Sequence, residues 1–334
     1  MDGGAARRRG GGSAAIIVDW SLDWSVSLSF FSHKLPGCVE MAQMCSSALR
    51  PGLNPLRTRA EATSPSARRS SGLRVTAAAV EPGATVLVAG ATGGVGQLLT
   101  AKLLDRGYKV KALSRNADKL QQLFGAADGL SPALADLRDA SSLPAALEGV
   151  DAVVCCTGTT AFPSKRWDGG NNPEQTDYVS VRNLVHACPP SLKRFVLTTS
   201  AGVERSGKFP FAILNLFGVL KYKRMGEQEL EASGLPYLIL RPNRLTDGPY
   251  TSYDVNTLLR NTSGSRQDVT LSLHDDLMGE ASRIAVAEAI VQSLALDFVE
   301  GRRYSIGSKE GDGPGRDPAK WSALFGSVKE PAAV

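Results

Sequence analysis

The residues of this 334-residue chain whose types and spacing could do chemistry begin with Gly90, Ala91, Thr92, Gly93, Gly94, Val95 and Gly96. An apolar, β-branched run over 85–89 precedes them, and residues 97–104 read as helix. Strand, tight glycine turn and helix together are the context of a dinucleotide-binding fingerprint. Gly90 lets the chain turn at the strand end, Gly93 lets a diphosphate approach the backbone, and Gly96 lets the helix pack closely. Thr92, Gly94 and Val95 complete a cradle in which free N–H groups and the positive end of the helix face the phosphates. The alternative is a strand-to-helix turn that binds nothing.

A second informative position follows the next strand. An acid there would hydrogen-bond the ribose hydroxyls of NAD; Ser114–Arg115 stands instead. A guanidinium suits a 2′-phosphate, so NADP(H) is expected before NAD(H). The alternative is an exposed arginine beside a turn.

The elements that must position these residues alternate strand and helix from residue 84 onward. Strands are expected over 85–90, 109–113, 134–135, 151–156, 195–199 and 237–240, with helices to about 105 and over 141–148, 177–188 and 220–232. Short βαβ repeats of this kind imply an α/β fold with a doubly wound parallel sheet, Rossmann-like, in one domain over 80–326. Later signals are weaker: a loop-rich stretch over 252–268, a strand over 269–271, a helix over 283–296, a strand over 303–306, small substrate-side elements, and a flexible stretch running to Trp321–Phe325.

The leader differs from the rest. Of 38 basic and 33 acidic residues, ten and five lie in 1–80, which leaves 28 of each for the remainder. The balanced remainder argues against a nucleic-acid-binding surface. No apolar run approaches the ~20 residues that span a bilayer. Residues 41–78 are rich in Ser and Arg and nearly free of acids, the composition of a plastid transit peptide. Residues 1–40 read as a gene-model extension or disordered leader, and 327–334 as a tail. Cys155 and Cys156 fall in an apolar strand and read as small apolar residues, while a redox pair involving Cys188 is left open. No metal-ligand spacing appears, and neither His186 nor His274 has a ligand cluster; His186 is expected to cap helix carbonyls. Tyr178 reads as a packing residue rather than an acid.

The set of stretches 86–96, Leu113–Ser114–Arg115, Ala135–Asp136–Leu137, 151–154, 193–200 and 223–242 resembles the atypical short-chain dehydrogenases/reductases of the NAD(P)-binding, NmrA-like and flavin-reductase-like group, plastid members in particular. Asp312–Gly313–Pro314 with Trp321 extends the resemblance toward the C-terminus. It implies that Asp136 and Leu137 border the adenine, that Thr157 and Gly158 line the ribose and nicotinamide side, and that Ser200 is the active-site serine at the carboxyl edge of the fifth strand. Many such relatives carry Tyr-x-x-x-Lys. Aligned on Lys223, the tyrosine place is Val219, and Tyr222 points elsewhere on the helix, because adjacent residues differ by ~100°. The resemblance leaves Lys223 to polarise a carbonyl or organise the ribose; the alternative is an exposed lysine paired with Glu227. The expected function is an NADPH-dependent reductase of a small carbonyl, quinone or flavin-like acceptor in the chloroplast stroma. The alternative is a non-catalytic NADP(H)-binding scaffold or redox-sensing subunit of a thylakoid-associated protein complex.

Overall fold

A computed structural model describes residues 79–247 and 267–328. Expectations for residues 1–78, for 248–266 and beyond 328 lie outside the described residues. The opening unit is β1 (Thr85–Ala89), α1 (Gly94–Asp105) and β2 (Lys109–Ser114). It continues through α2 (Ala117–Phe124), β3 (Leu130–Leu134), α3 (Leu143–Leu147) and β4 (Ala152–Cys155). A 3₁₀ segment (Lys165–Gly170) and a π-helical turn (Glu174–Val179) lead into α4 (Ser180–Ala187) and β5 (Arg194–Thr198). Then come α5 (Phe211–Leu214), α6 (Val219–Ala232), β6 (Tyr237–Pro242) and β7 (Arg244–Thr246). The last elements are β8 (Gln267–Ser272), β9 (Glu280–Ser282), α7 (Arg283–Leu294), β10 (Arg302–Glu310) and α8 (Pro318–Ser327).

Eight strands form one sheet in the order β3-β2-β1-β4-β5-β6-β10-β8, and β7 pairs with β9 beside it. All neighbours in the large sheet are parallel except β10 with β8. Helices cover both faces, which is why the strands are apolar runs rather than alternating ones. Val86 and Val88 of β1 enter the core shared with α1, α7 and α8, whereas Leu87 and Ala89 enter the core shared with α3, α4 and α6. This is the doubly wound sheet expected from the βα alternation.

Several boundaries differ from expectation. The third strand runs Leu130–Leu134 rather than 134–135; it contains Pro132, tolerated because β3 is an edge strand paired only with β2. The helix expected from 177 begins at Glu174 as a π-turn. β10 extends to Glu310 because its second half pairs with β8, an antiparallel partner invisible to local pattern. The stretch read as flexible ends in α8, which starts at Pro318 ahead of Trp321 and is capped by Asp317, which accepts from Ala319 N at 2.9 Å. Gly313 is there for packing: a Cβ on it would fall 1.6 Å from the Gln267 carbonyl oxygen.

Two ion pairs tie distant elements together and predict the acid response. Asp151 accepts from Lys193 at 2.9 Å and from Thr85 N at 2.9 Å, which holds its carboxyl below the usual range. Burial opposes ionisation of Glu288, yet Lys102 at 3.0 Å, with Arg106 and Gln292, holds it below its usual value as well. Depressed carboxyl groups contribute stability above their unfolded values, 3.8 and 4.5, and lose it as pH falls through the lower folded values. The melting temperature is therefore expected to hold near neutrality and to drop below about pH 4. Lys102→Met should remove part of that drop in a calorimetric pH series.

Candidate nucleotide-binding site

Connections leave β1 and β4 in opposite directions, so a crevice opens at their carboxyl ends. The glycine turn lies in it. Gly90 has φ +83°, and a Cβ on it would lie 3.0 Å from the backbone of Cys156 and Thr157, so only glycine lets β1 turn against the end of β4. Gly96 allows an even closer approach, with its Cβ position 2.1 Å from the Gly90 carbonyl oxygen. Its close packing is therefore against the turn itself. Gly93 N donates to Gly90 O at 2.9 Å, and Gln97 Nε2 donates to Thr92 O at 2.9 Å.

The N-cap of α1 is Gly93, with no side-chain cap and no acid in the first turn. The N–H groups of Gly94, Val95 and Gly96 have no acceptor among the described residues. Such a helix start is an uncompensated set of aligned donors, suited to a phosphate or diphosphate. Sequence reasoning missed Arg283, the first residue of α7. Its backbone N donates to Asp247 Oδ1 at 2.7 Å, its guanidinium reaches the Thr246 carbonyl, and its Nε lies 2.9 Å from where a Gly94 Cβ would be. A cation is thereby brought to the same turn from almost two hundred positions away.

At the ends of β2 and β3, Arg115 is half exposed, 3.1 Å from Asn171 Oδ1 and 3.9 Å from Asp136 Oδ2. Asp136 is engaged chiefly by Arg138, at 2.7 Å from Nη2, and that hydrogen-bonded guanidinium holds its carboxyl below the usual range, with Arg115 adding to it. Arg138 also reaches the Gly169 carbonyl at 2.6 Å. Two guanidiniums thus gather where a single arginine was foreseen. Leu137 is buried in the core, and its carbonyl accepts from Asn183 at 3.0 Å.

The β4 and β5 ends meet α6. Lys223 is not the exposed partner of Glu227 that its i+4 spacing allows. It is buried, and its Nζ donates to Asp177 Oδ1 at 2.6 Å. A Cβ on Gly158 would lie 3.0 Å from Nζ, so the lysine sits against Gly158. Asp177 comes from the π-turn; burial pushes its carboxyl up while Lys223 opposes the shift, and Oδ2 has no hydrogen-bond partner. Gly226 lets α6 approach this turn, its Cβ position being 2.8 Å from the Asp177 carbonyl oxygen.

Glu227 instead serves as the anchor of α6. It accepts from Arg241 Nε at 2.9 Å and Nη2 at 2.7 Å, and from Thr199 Oγ1 at 2.7 Å. One helical turn from Lys223, this network fixes the rotation of α6 against β5 and β6. The signal for it was an arginine closing the apolar run of β6. Ser200 lies two residues past the end of β5 rather than ending it, and its hydroxyl donates to the Ala201 carbonyl at 3.0 Å and is not bonded to Lys223. Val219, in the tyrosine place, is buried beside Phe211 and Leu220.

Comparison with known proteins bears on what this crevice holds. A family model described as NAD(P)H-binding matches residues 90–297. The chain belongs to the NAD(P)H-binding family. This NAD(P)H-binding protein is 36% identical over 221 residues to Protein TIC 62, chloroplastic, of Pisum sativum, covering 61% of this chain and 39% of that protein. It thus spans well under half the length of that relative. It is 29% identical over 286 residues to sanguinarine reductase of Eschscholzia californica, covering 74% of this chain and 97% of that one. An epimerase/dehydratase-like protein of Bacillus halodurans superposes with a TM-score of 0.58 at 22% identity, over 74% of this chain and 100% of the other, which shows the shared Rossmann-type fold.

Two further titratable groups of this NAD(P)H-binding protein, Tyr178 and His186, bond to Glu229 rather than to the residues of the crevice. Tyr178 donates to Glu229 at 3.0 Å, and His186 meets the same carboxylate at 3.3 Å rather than capping its helix carbonyls. Among the described residues no group of His, Cys, Asp and Glu is placed to hold a metal, and no helix is long and apolar enough to cross a membrane. Cys155, Cys156 and Cys188 are free thiols, so among the described residues no disulfide is present. Burial pushes Cys156 and Cys188 up to about 12 and raises Cys155 too. At about pH 8 these thiols are expected to resist iodoacetamide in the native protein and to react on unfolding, as peptide mass spectrometry would show.

Proposed function

We propose that the chain is an NADPH-dependent reductase of the chloroplast, acting on a carbonyl, quinone or flavin-like acceptor. The observation that carries this reading is the uncapped, acid-free start of α1 at the reversal point of the sheet. The family match to NAD(P)H binders, the reductase among the relatives and the chloroplastic relative support it. Gly90, Thr92, Gly93, Gly94, Val95 and Gly96, with Arg283, would hold the diphosphate. Arg115 and Arg138 would take a 2′-phosphate, with Asp136 and Leu137 beside the adenine. Thr157, Gly158 and Lys223 would line the nicotinamide half. When bound, NADPH supplies the hydride.

The chain's own contribution is placement and charge. Asp177 holds the Lys223 ammonium against Gly158, where it can donate a hydrogen bond to a ribose hydroxyl or to an acceptor oxygen that gains negative charge. Ser200 would stand at the same edge as a second donor. The apolar Val219 in the tyrosine place favours a second reading, a nucleotide-binding scaffold or sensor subunit that does not turn over.

Calorimetry with the purified full chain tests the first step: heat with NADPH is expected, and none with either nicotinamide nucleotide would overturn the reading. Arg115→Ala should weaken NADPH by about 10-fold to 100-fold, the range of a charge-assisted contact, and leave NADH within about twofold. Equal losses would contradict the 2′-phosphate role. NADPH oxidation with a panel of quinones, flavins and carbonyls separates the two readings, since the scaffold binds but does not oxidise.

A further inference from the structure

Residues 205–226 contain no aspartate or glutamate. The same stretch exposes Phe209 (76%), Ile213, Leu214, Leu216 (70%) and Phe217. These side chains are not a loose loop's accident. Phe211 turns inward beneath them, with Val203, Val219 and Leu220, and forms a small core of its own. The Arg205 guanidinium lies 4.4 Å from the Phe211 ring centroid, and the ring packs so closely on Gly202 that a Cβ there would fall 2.1 Å away. The inner side of the stretch is packed, and the apolar side chains on its outer side are exposed to water. Several large apolar side chains exposed on one short stretch, with Phe217 stacked edge-on against Phe162 and Trp167, mark an interaction surface.

Charge tells which kind. Lys208 and Lys221 are exposed on the same stretch. Lys165 and Arg166 are exposed on the neighbouring 3₁₀ segment, whose Trp167 ring packs 5.7 Å from Phe217. That segment carries one acid, Asp168. The acids that flank the stretch are already engaged: Glu204 and Glu227 with Arg241. Asp275, which reaches it from the β8–β9 side, accepts from Gly202 N at 2.6 Å and Glu204 N at 2.8 Å. Apolar side chains that stand out from a short turn, flanked by long cationic ones, match the layering of a lipid interface. The apolar tips enter the acyl boundary while lysine and arginine heads stay at anionic headgroups.

We propose that residues 208–217, with the 165–167 turn, dock this protein peripherally on an anionic lipid surface. The docking stretch runs directly into α6, whose second turn carries Lys223, so the crevice edge formed by the β4 and β5 loops borders the lipid. This inference does not depend on the reductase reading.

Co-sedimentation of the full chain with phosphatidylcholine vesicles, with and without phosphatidylglycerol, tests it. The wild type is expected to pellet with the phosphatidylglycerol vesicles and to be released by salt. Phe209→Ser/Leu216→Ser should reduce the bound fraction roughly tenfold, and Lys208→Gln/Lys221→Gln should reduce binding to the anionic vesicles. Neither pair touches the nucleotide crevice, so an unchanged melting temperature shows that each variant folds. No pelleting with either vesicle, or pelleting unaffected by Phe209→Ser/Leu216→Ser, overturns the proposal. So does a dimer in sedimentation velocity that the serine variant converts to monomer, because the patch would then be covered by a second copy of the chain.

Discussion

Gly96→Ala is expected to abolish NADPH binding and to lower the melting temperature, whereas Gly93→Val should abolish binding and lower the melting temperature far less. The difference lies in what each new side chain meets. At Gly96 the Cβ would fall 2.1 Å from the Gly90 carbonyl oxygen and 2.9 Å from the Ala91 Cα, all of it backbone. Nothing flexible can yield, so either the turn or the start of α1 must shift. Overpacking of this kind costs about 1–3 kcal/mol or more. It also displaces the three amides that make the anion site.

At Gly93 the nearest neighbour is the Gly90 oxygen at 3.2 Å, and φ of −85° with ψ of 169° is open to any residue. Valine there meets one close backbone contact, the Gly90 oxygen, which must give by a few tenths of an ångström, while its branches would occupy the face on which a diphosphate would rest. Loss of NADPH affinity by about 100-fold or more, near 2.7 kcal/mol, is the expected calorimetric result. Gly94→Ala should weaken NADPH as well, since its methyl would fall 2.9 Å from Arg283 Nε and 3.0 Å from Arg283 Cδ and displace that guanidinium from the turn. If Gly93→Val binds NADPH as the wild type does, the diphosphate is not held at this turn.

Asp177→Asn is the second change with a large expected effect. It leaves the Lys223 ammonium buried without its counter-charge, and breaking a buried pair in this way costs about 3–5 kcal/mol. Lys223→Met should behave differently with pH. Burial already pushes the Asp177 carboxyl up, and Lys223 is what opposes the shift. Without the lysine the neutral carboxyl is the form the fold accepts. A carboxyl with a raised folded value contributes stability below its unfolded value, 3.8, and loses it as pH rises through the folded value. Lys223→Met is thus expected to fall further below the wild type at about pH 8 than at about pH 4 in chemical denaturation.

Function and stability can be separated by ligand choice. Asp177→Asn that still folds should lose affinity for NADPH while keeping its affinity for 2′,5′-ADP, which lacks the nicotinamide half. A merely structural aspartate would weaken both ligands together, and that outcome would remove Asp177 from the site.

The βα alternation was legible because the central strands β1, β4, β5 and β6 are buried on both faces and most of the early helices are closed by glycine or proline. Gly107, Gly234 and Pro189 ended elements where local chemistry requires an end. β8's antiparallel pairing with β10, the parallel pair β7–β9 and the capped helix α8 were not legible in the same way, since they depend on partners distant in the chain.

What the amino-acid order alone determined is the opening unit: a buried strand, a turn that only glycines can make, and a helix left uncapped and free of acids at its start. Those are properties of neighbours in sequence, set by sterics and by unpaired backbone donors. Only the tertiary structure decided which charge meets which. Lys223 and Glu227 are adjacent on one helix face by spacing, yet Asp177 claims the first and Arg241 the second. A buried charge takes its partner from whatever element packs against it, and Arg283 reaches the glycine turn for the same reason, because α7 docks beside α1.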